Sequence, residues 1–215
     1  MLSRHSIALS IAAILGVSGS LADEDIVGRW TGETFAAGTT TSMTLELFKN
    51  GTYARRIVAA SELGWSASGD TLLIAPLIAR VDNEVTYGKA AAVLVKITGD
   101  QMVQSAGSKS LNLKRVTSPV ASAPMLGRWE GQGDLNEEVI QDFTVDGRLI
   151  VTVTVSREAG RWSATDQEIR WEMQIPEPGR RRSKFKLQKG KLLLYIARDL
   201  PPIEMTREPP ANASR

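Results

Sequence analysis

Gly28-Arg29-Trp30 returns later in the chain as Gly127-Arg128-Trp129, and three further landmarks return with it in the same order. Asn50-Gly51 is matched by Asp146-Gly147, Gly64-Trp65-Ser66-Ala67 by Arg161-Trp162-Ser163-Ala164, and Leu113-Lys114-Arg115 by Met205-Thr206-Arg207. The loops between the landmarks differ in length while their order holds, which is the mark of a duplicated unit. Four of the five tryptophans stand at matched points, so each copy must build the same framework.

That framework is made of strands. Leu149, Val151, Val153 and Val155 alternate with Ile150, Thr152, Thr154 and Ser156, and Ile169, Trp171, Met173 and Ile175 alternate with Glu168, Arg170, Glu172 and Gln174. Met43, Leu45 and Leu47, then Val93, Val95 and Ile97, and finally Leu192, Leu194 and Ile196 repeat the period of 2 expected of half-buried antiparallel strands. Asn50-Gly51 and Asp146-Gly147 are pairs that suit type I′ hairpin turns. Ser68-Gly69-Asp70, Thr98-Gly99-Asp100 and Lys189-Gly190 supply further tight turns. Each repeat therefore reads as about eight short strands running up and down, and closing such a meander into a small barrel removes its exposed edges. An outer-membrane barrel is disfavoured, because Glu168, Arg170 and Glu172 line one strand face and aromatic residues make up only 6% of the chain.

The first residues follow a different logic. Arg4, the apolar run Ile7 to Val17 and the small-residue end Ser20-Leu21-Ala22 have the layout of a secretory signal peptide. The run is shorter than the roughly 20 residues a spanning helix needs. The domain expectation is a signal peptide at 1–22, a first barrel at 23–117, a Pro/Ser/Ala linker at 118–124, a second barrel at 125–208 and a disordered tail at 209–215. No integral membrane segment is expected in the mature chain.

The chain has no cysteine, although disulfides are permitted outside the cytoplasm, so stability must come from packed cores. A bacterial exported protein fits this best, with the periplasm the expected location and the extracellular space the second choice. The 26 Lys and Arg residues nearly balance the 24 Asp and Glu, so net charge offers no argument for nucleic acid. Local charge is uneven: Arg180, Arg181, Arg182, Lys184 and Lys186 crowd one stretch, either as an anion or partner patch or as a solvated hairpin guarding a strand edge.

A Gly-x-Trp on the first strand of an up-and-down barrel, with an Arg ending its last strand, resembles the arrangement of lipocalins and bacterial lipocalin-like domains. The resemblance spans nearly all of the expected mature chain. It implies two tandem lipocalin-like barrels in which Trp30 is closed by Arg115, and Trp129 by Arg207, each Arg lying across an indole face. It also points to Trp65, Trp162 and Trp171 as candidates for lining a cavity. The Thr-Asp-Tyr loop motif of typical lipocalins has no clear counterpart, and the short repeats leave little height for a deep cup.

The only histidine is His5, inside the expected leader. A mature chain without His or Cys excludes thiol nucleophiles, His-dependent triads and ordinary zinc or copper sites. Gly131 to Glu137, with Asp134, only loosely approaches a calcium loop, and Asp23-Glu24-Asp25 falls at a frayed terminus. The expectation is a protein without enzymatic activity or cofactor, binding a small apolar or amphiphilic ligand as a carrier or sensor. The alternative is an interaction or scaffolding module with filled barrels that binds another envelope protein.

Overall fold

The computed structural model describes residues 25–36, 38–81, 84–118, 122–196 and 201–209. The expected leader, and the expected tail apart from Pro209, lie outside the described residues. Among the described residues the fold is all-β, and no helix is long and apolar enough to cross a membrane.

The strands are β1 (Gly28–Ala36), β2 (Thr39–Leu47), β3 (Thr52–Ser68), β4 (Thr71–Val81), β5 (Glu84–Tyr87), β6 (Ala91–Thr98), β7 (Gln101–Ala106) and β8 (Lys109–Arg115) from the first repeat. The second repeat supplies β9 (Gly127–Gln132), β10 (Glu138–Phe143), β11 (Arg148–Ala164), β12 (Glu168–Ile175), β13 (Gly179–Gln188), β14 (Lys191–Tyr195) and β15 (Ile203–Arg207). All pair antiparallel in one 15-stranded sheet. Alternation sorts side chains as expected: Met43, Leu45 and Leu47 are buried on β2, and Val139, Gln141 and Phe143 on β10.

The two matched hairpins differ from the type I′ expectation. Gly51 and Gly147 adopt positive φ, but Asn50 and Asp146 do not. Gly51 N–H donates to Phe48 O and Phe48 N–H to Thr52 O, while Gly147 N–H donates to Thr144 O and Thr144 N–H to Arg148 O. This is a three-residue loop whose last residue is a left-handed glycine. Lys189-Gly190 is the turn with positive φ at both residues.

The sheet closes on itself twice. One ring runs β11–β12–β13–β14–β15–β1–β2–β3 and back to β11. The other runs β3–β4–β6–β7–β8–β9–β10–β11 and back to β3. These are called ring 1 and ring 2. The strands β3 and β11 belong to both. Each has 17 residues, against the five or six of an ordinary strand, and at about 3.3 Å per residue such a strand is long enough to serve two walls in succession.

The expected arrangement, one closed unit per repeat in tandem, is therefore corrected. Ring 1 takes β1 and β2 from repeat 1 and β12–β15 from repeat 2, while ring 2 takes β4 and β6–β8 from repeat 1 and β9 and β10 from repeat 2; β5 lies outside the ring, paired with β4. Residues 118–124 do not separate two domains, because β8 and β9 on either side of them are paired neighbours in ring 2. The exchange is reciprocal: Trp162 N–H donates to Gly51 O and Trp65 N–H to Gly147 O, each at 2.8 Å.

Two apolar cores follow the two rings. The first gathers Trp30, Leu45, Leu47 and Tyr53 with Trp162, Trp171, Leu192 and Met205, and the second gathers Leu72, Met102 and Leu113 with Trp129, Phe143 and Leu149. Each mixes residues from both repeats, so neither repeat can bury its apolar faces alone. Cutting the chain between residues 118 and 122 with an engineered protease site is expected to leave two fragments that elute together on gel filtration under native conditions. Separation of the fragments into independently folded species would show one closed unit per repeat.

Candidate functional site

The matched tryptophans close one end of each ring. Trp30 lies opposite Arg207, and Trp129 opposite Arg115, in register on paired strands. The guanidinium of Arg207 stands 4.6 Å from the Trp30 ring centroid, and that of Arg115 stands 4.0 Å from Trp129. The expected partners are thus exchanged, Trp30 with Arg207 and Trp129 with Arg115, because the first and last strands of each ring come from different repeats. Trp30 Nε1 donates to Ile26 O at 2.7 Å and Trp129 Nε1 to Met125 O at 2.9 Å. With both indole N–H groups answered and both indoles fully buried, these four residues are structural plugs.

The other three tryptophans divide. Trp65 packs edge-on against Phe143 at 5.2 Å and donates to Arg148 O at 3.1 Å, and Trp162 donates to Phe48 O at 3.2 Å inside the ring 1 core. Both act as wall and core. Trp171 meets Tyr53 edge-on at 4.9 Å, donates to Ser183 Oγ at 3.0 Å, and borders a cavity of about 410 Å³.

This cavity lies inside ring 1, and of its charged residues the sequence singles out Arg181 and Arg182 but not Arg55 or Glu158. Tyr53, Arg55 and Ile57 share one face of β3, and Leu47, Leu45 and Met43 stand opposite them on β2. Arg55 thus occupies a core-facing position. Its cross-strand partner on β11 is Glu158, with Arg55 Nη2 2.5 Å from Glu158 Oε1 and side-chain exposures of 10% and 9%. Ser156 Oγ donates to the same carboxylate oxygen at 3.2 Å. Arg181, on β13, approaches it to 3.8 Å while remaining 61% exposed. Met43, Ile57, Trp171 and Ile196 supply apolar wall.

Two buried polar atoms of this cluster, Tyr53 Oη and Arg55 Nε, have no hydrogen-bond partner among the described residues. Burial, and then the Glu158 charge, push the Tyr53 phenol above its ordinary range, against the opposing pull of Arg55 and Arg181. The phenol therefore remains a proton donor at neutral pH.

Ring 2 has nothing comparable at the matched points. The cross-strand pair Arg55–Glu158 corresponds to Val151 opposite Ser61, Trp171 corresponds to Ile74, and Arg181 and Ser183 correspond to Ala91 and Val93. Besides Arg115 at its closed end, ring 2 buries the pair Gln104 and Gln141, whose amides bond to each other at 2.7 and 3.2 Å. That pair is neutral, and Gln104 Nε2 also reaches Met102 Sδ at 3.2 Å.

Alternation divides the basic stretch. Arg181 faces inward with Ser183 and Phe185, whereas Arg180, Arg182, Lys184 and Lys186 face solvent. On that outer face Arg180 meets Glu172 at 3.2 Å and Arg182 meets Glu168 at 3.9 Å, beside Arg170 and Arg161 in a cleft of about 500 Å³. Acidic neighbours on β12 thus answer much of the outer row. Where the rings cross, Glu138 accepts from Arg56, Arg157 and Thr154. The Thr154 hydroxyl, with the two guanidiniums, holds its carboxyl below the usual range. In the loosely calcium-like loop, Asp134 pairs with Lys109 at 3.3 Å and Glu137 accepts from Leu135 N–H.

Comparison with protein-family models, with curated proteins and with solved structures finds no match.

A buried hydroxyl without a partner carries a desolvation cost of about 1–3 kcal/mol. Tyr53→Phe is therefore expected to leave the melting temperature unchanged or raised. It should also remove one of the two late-ionising phenols from an alkaline absorbance titration, the other being Tyr87, which burial and Glu62 also raise. Because the folded value lies above the unfolded one of about 10, the contribution of Tyr53 is complete below that pH and lost as pH rises through the folded value. The stability gap between Tyr53→Phe and the native chain should widen there; a late titration phase of undiminished amplitude in the variant would contradict the assignment.

Proposed function

We propose that the protein is a non-enzymatic exported binding protein, built from two small lipocalin-like barrels, and that ring 1 holds a small amphiphilic molecule at the Arg55–Glu158–Arg181 cluster. The observation that carries this reading is the difference between the copies. Equivalent positions in ring 2 are filled by Val151, Ile74, Ala91 and Val93, so the framework closes without charges there. Desolvating an ion pair costs several kcal/mol per ion before mutual attraction offsets it. A charged cluster beside a cavity of about 410 Å³, within the 300–1,000 Å³ range of small-molecule sites, supports reading it as a recognition element. The apolar wall of Met43, Ile57, Trp171 and Ile196 suits the non-polar part of such a molecule. Periplasmic location, a carrier or sensor role and the absence of enzymatic activity and cofactor belong to the same reading.

The interaction-module alternative draws on the outward row Arg180, Arg182, Lys184 and Lys186. Glu168 and Glu172 answer its arginines, as on a solvated strand edge, which gives that row less to offer a protein partner.

Titrating the full chain with octanoate, octanol and octylamine tests the binding reading. At least one of the three should change tryptophan fluorescence saturably, and the change should be lost in Trp171→Phe. Replacing the buried pair together, Arg55→Met with Glu158→Leu, should abolish that response while keeping or raising thermal stability, as for other buried pairs exchanged for apolar residues. Gln104→Leu with Gln141→Leu, in ring 2, should leave the response intact. No saturable response to any of the three probes would overturn the proposal.

A further inference from the structure

The charges lining the ring 1 cavity do not balance, and their imbalance specifies a ligand class. Resting on the binding role proposed for ring 1, we infer that the cavity takes an amphiphile with a single negative charge, a carboxylate, and that Arg181 is the residue that receives it.

Three charged side chains meet inside ring 1, Arg55, Glu158 and Arg181; Arg182 also borders the cavity, but it stands on the outer face of β13 and is answered there by Glu168 at 3.9 Å. The first two are committed to each other, at 2.5 Å and nearly fully buried, and Ser156 completes the carboxylate oxygen they share. Arg181 is left with a 3.8 Å approach to an oxygen already held by Arg55 and Ser156. It is a surplus cation at the mouth, exposed enough to turn toward an incoming group. One added negative charge neutralises the cluster, whereas a cationic head group would place a third positive charge in a partly desolvated site, where like charges repel strongly.

The unpartnered atoms point the same way. Arg55 Nε carries a hydrogen and can only donate, and Tyr53 Oη retains its proton because burial and Glu158 disfavour the phenolate. What this corner of ring 1 lacks is a hydrogen-bond acceptor. A carboxylate is acceptor-only and pairs with a guanidinium in a planar, two-point geometry. Met43, Ile57, Trp171 and Ile196 then line the space left for its apolar part.

The same three eight-carbon probes separate this inference from the binding reading. With the full chain, octanoate should bind about tenfold or more tightly than octanol, the difference expected of a charge-assisted contact, and octylamine should bind weakest. Arg181→Gln should bring octanoate down to the affinity of octanol and leave octanol unchanged, while Arg181→Lys should keep part of the preference. Saturable binding of octanol or octylamine at Trp171 as tight as that of octanoate would overturn the carboxylate inference and leave the binding reading standing. A preference for octanoate that survives Arg181→Gln would overturn the role of Arg181. Failure of all three to bind would overturn both.

Discussion

The structure depends on one pairing, β3 against β11, which runs from Thr52 opposite Arg161 to Gly64 opposite Arg148. Neither ring closes without it, and each ring uses a different end of it. Because both strands are long, their two ends carry inward side chains for two separate cores: Tyr53 and Ile57 then Leu63 and Trp65 on β3, Leu149 and Val151 then Trp162 on β11. Every other pairing joins strands that follow from this one by short connections or by the closing contacts of Trp30 with Arg207 and Trp129 with Arg115. The duplication is thus a single interleaved body held at its middle, with the Glu138–Arg56–Arg157 network lying over the crossing.

Much of this was legible in the sequence, and the part that was not has a definite cause. The matched Gly-Arg-Trp segments, the alternating apolar residues and the terminal arginines specify eight-membered rings of strands closed by a cation over an indole. They do not specify which copy of the last strand closes on which copy of the first. Pairing within a repeat and pairing across repeats bury equivalent residues at equivalent registers, so composition and period cannot tell them apart. The information that decides lies in an absence: no Pro and no Asn-Gly or Asp-Gly turn pair interrupts Thr52 to Ser68 or Arg148 to Ala164, and a lone Gly64 or Gly160 does not turn the chain back, so each strand runs on from one wall into the next.

The candidate site was hidden for two further reasons. Arg55 was readable in principle, since it shares the face of Tyr53 and Ile57, but an arginine amid apolar alternation is easily taken for an edge residue. Glu158 was not readable. The inward residues of β11 before Thr154 are Leu149, Val151 and Val153, and the irregularity between Thr154 and Ser156 reverses the alternation so that Glu158, Gly160 and Trp162 face inward after it. A bulge adds one residue and moves every later side chain to the other face. Without that reversal Glu158 would face solvent and Arg55 would lack its partner. Conversely, the conspicuous run Arg180, Arg181 and Arg182 looked like one patch, and the same alternation divides it, sending only Arg181 inward.

The location of the charged cluster has its own logic. Arg55 sits on β3 and Glu158 on β11, the two strands that both rings share, and they face each other across the pairing that holds the molecule together. Strands fixed by neighbours on both sides position side chains more closely than loops do, so the buried pair is held by the pairing that the two rings share, whereas Arg181 stands on β13, away from it. The two cations near Glu158 thereby differ in freedom as well as in burial. Arg55 is fixed and neutralised; Arg181 is loosely held and exposed. Ring 2, with Val151 and Ser61 at the same crossing, shows that the fold does not need charge there. The shared strands stabilise both rings alike, and only at the ring 1 end does their crossing carry a buried ion pair.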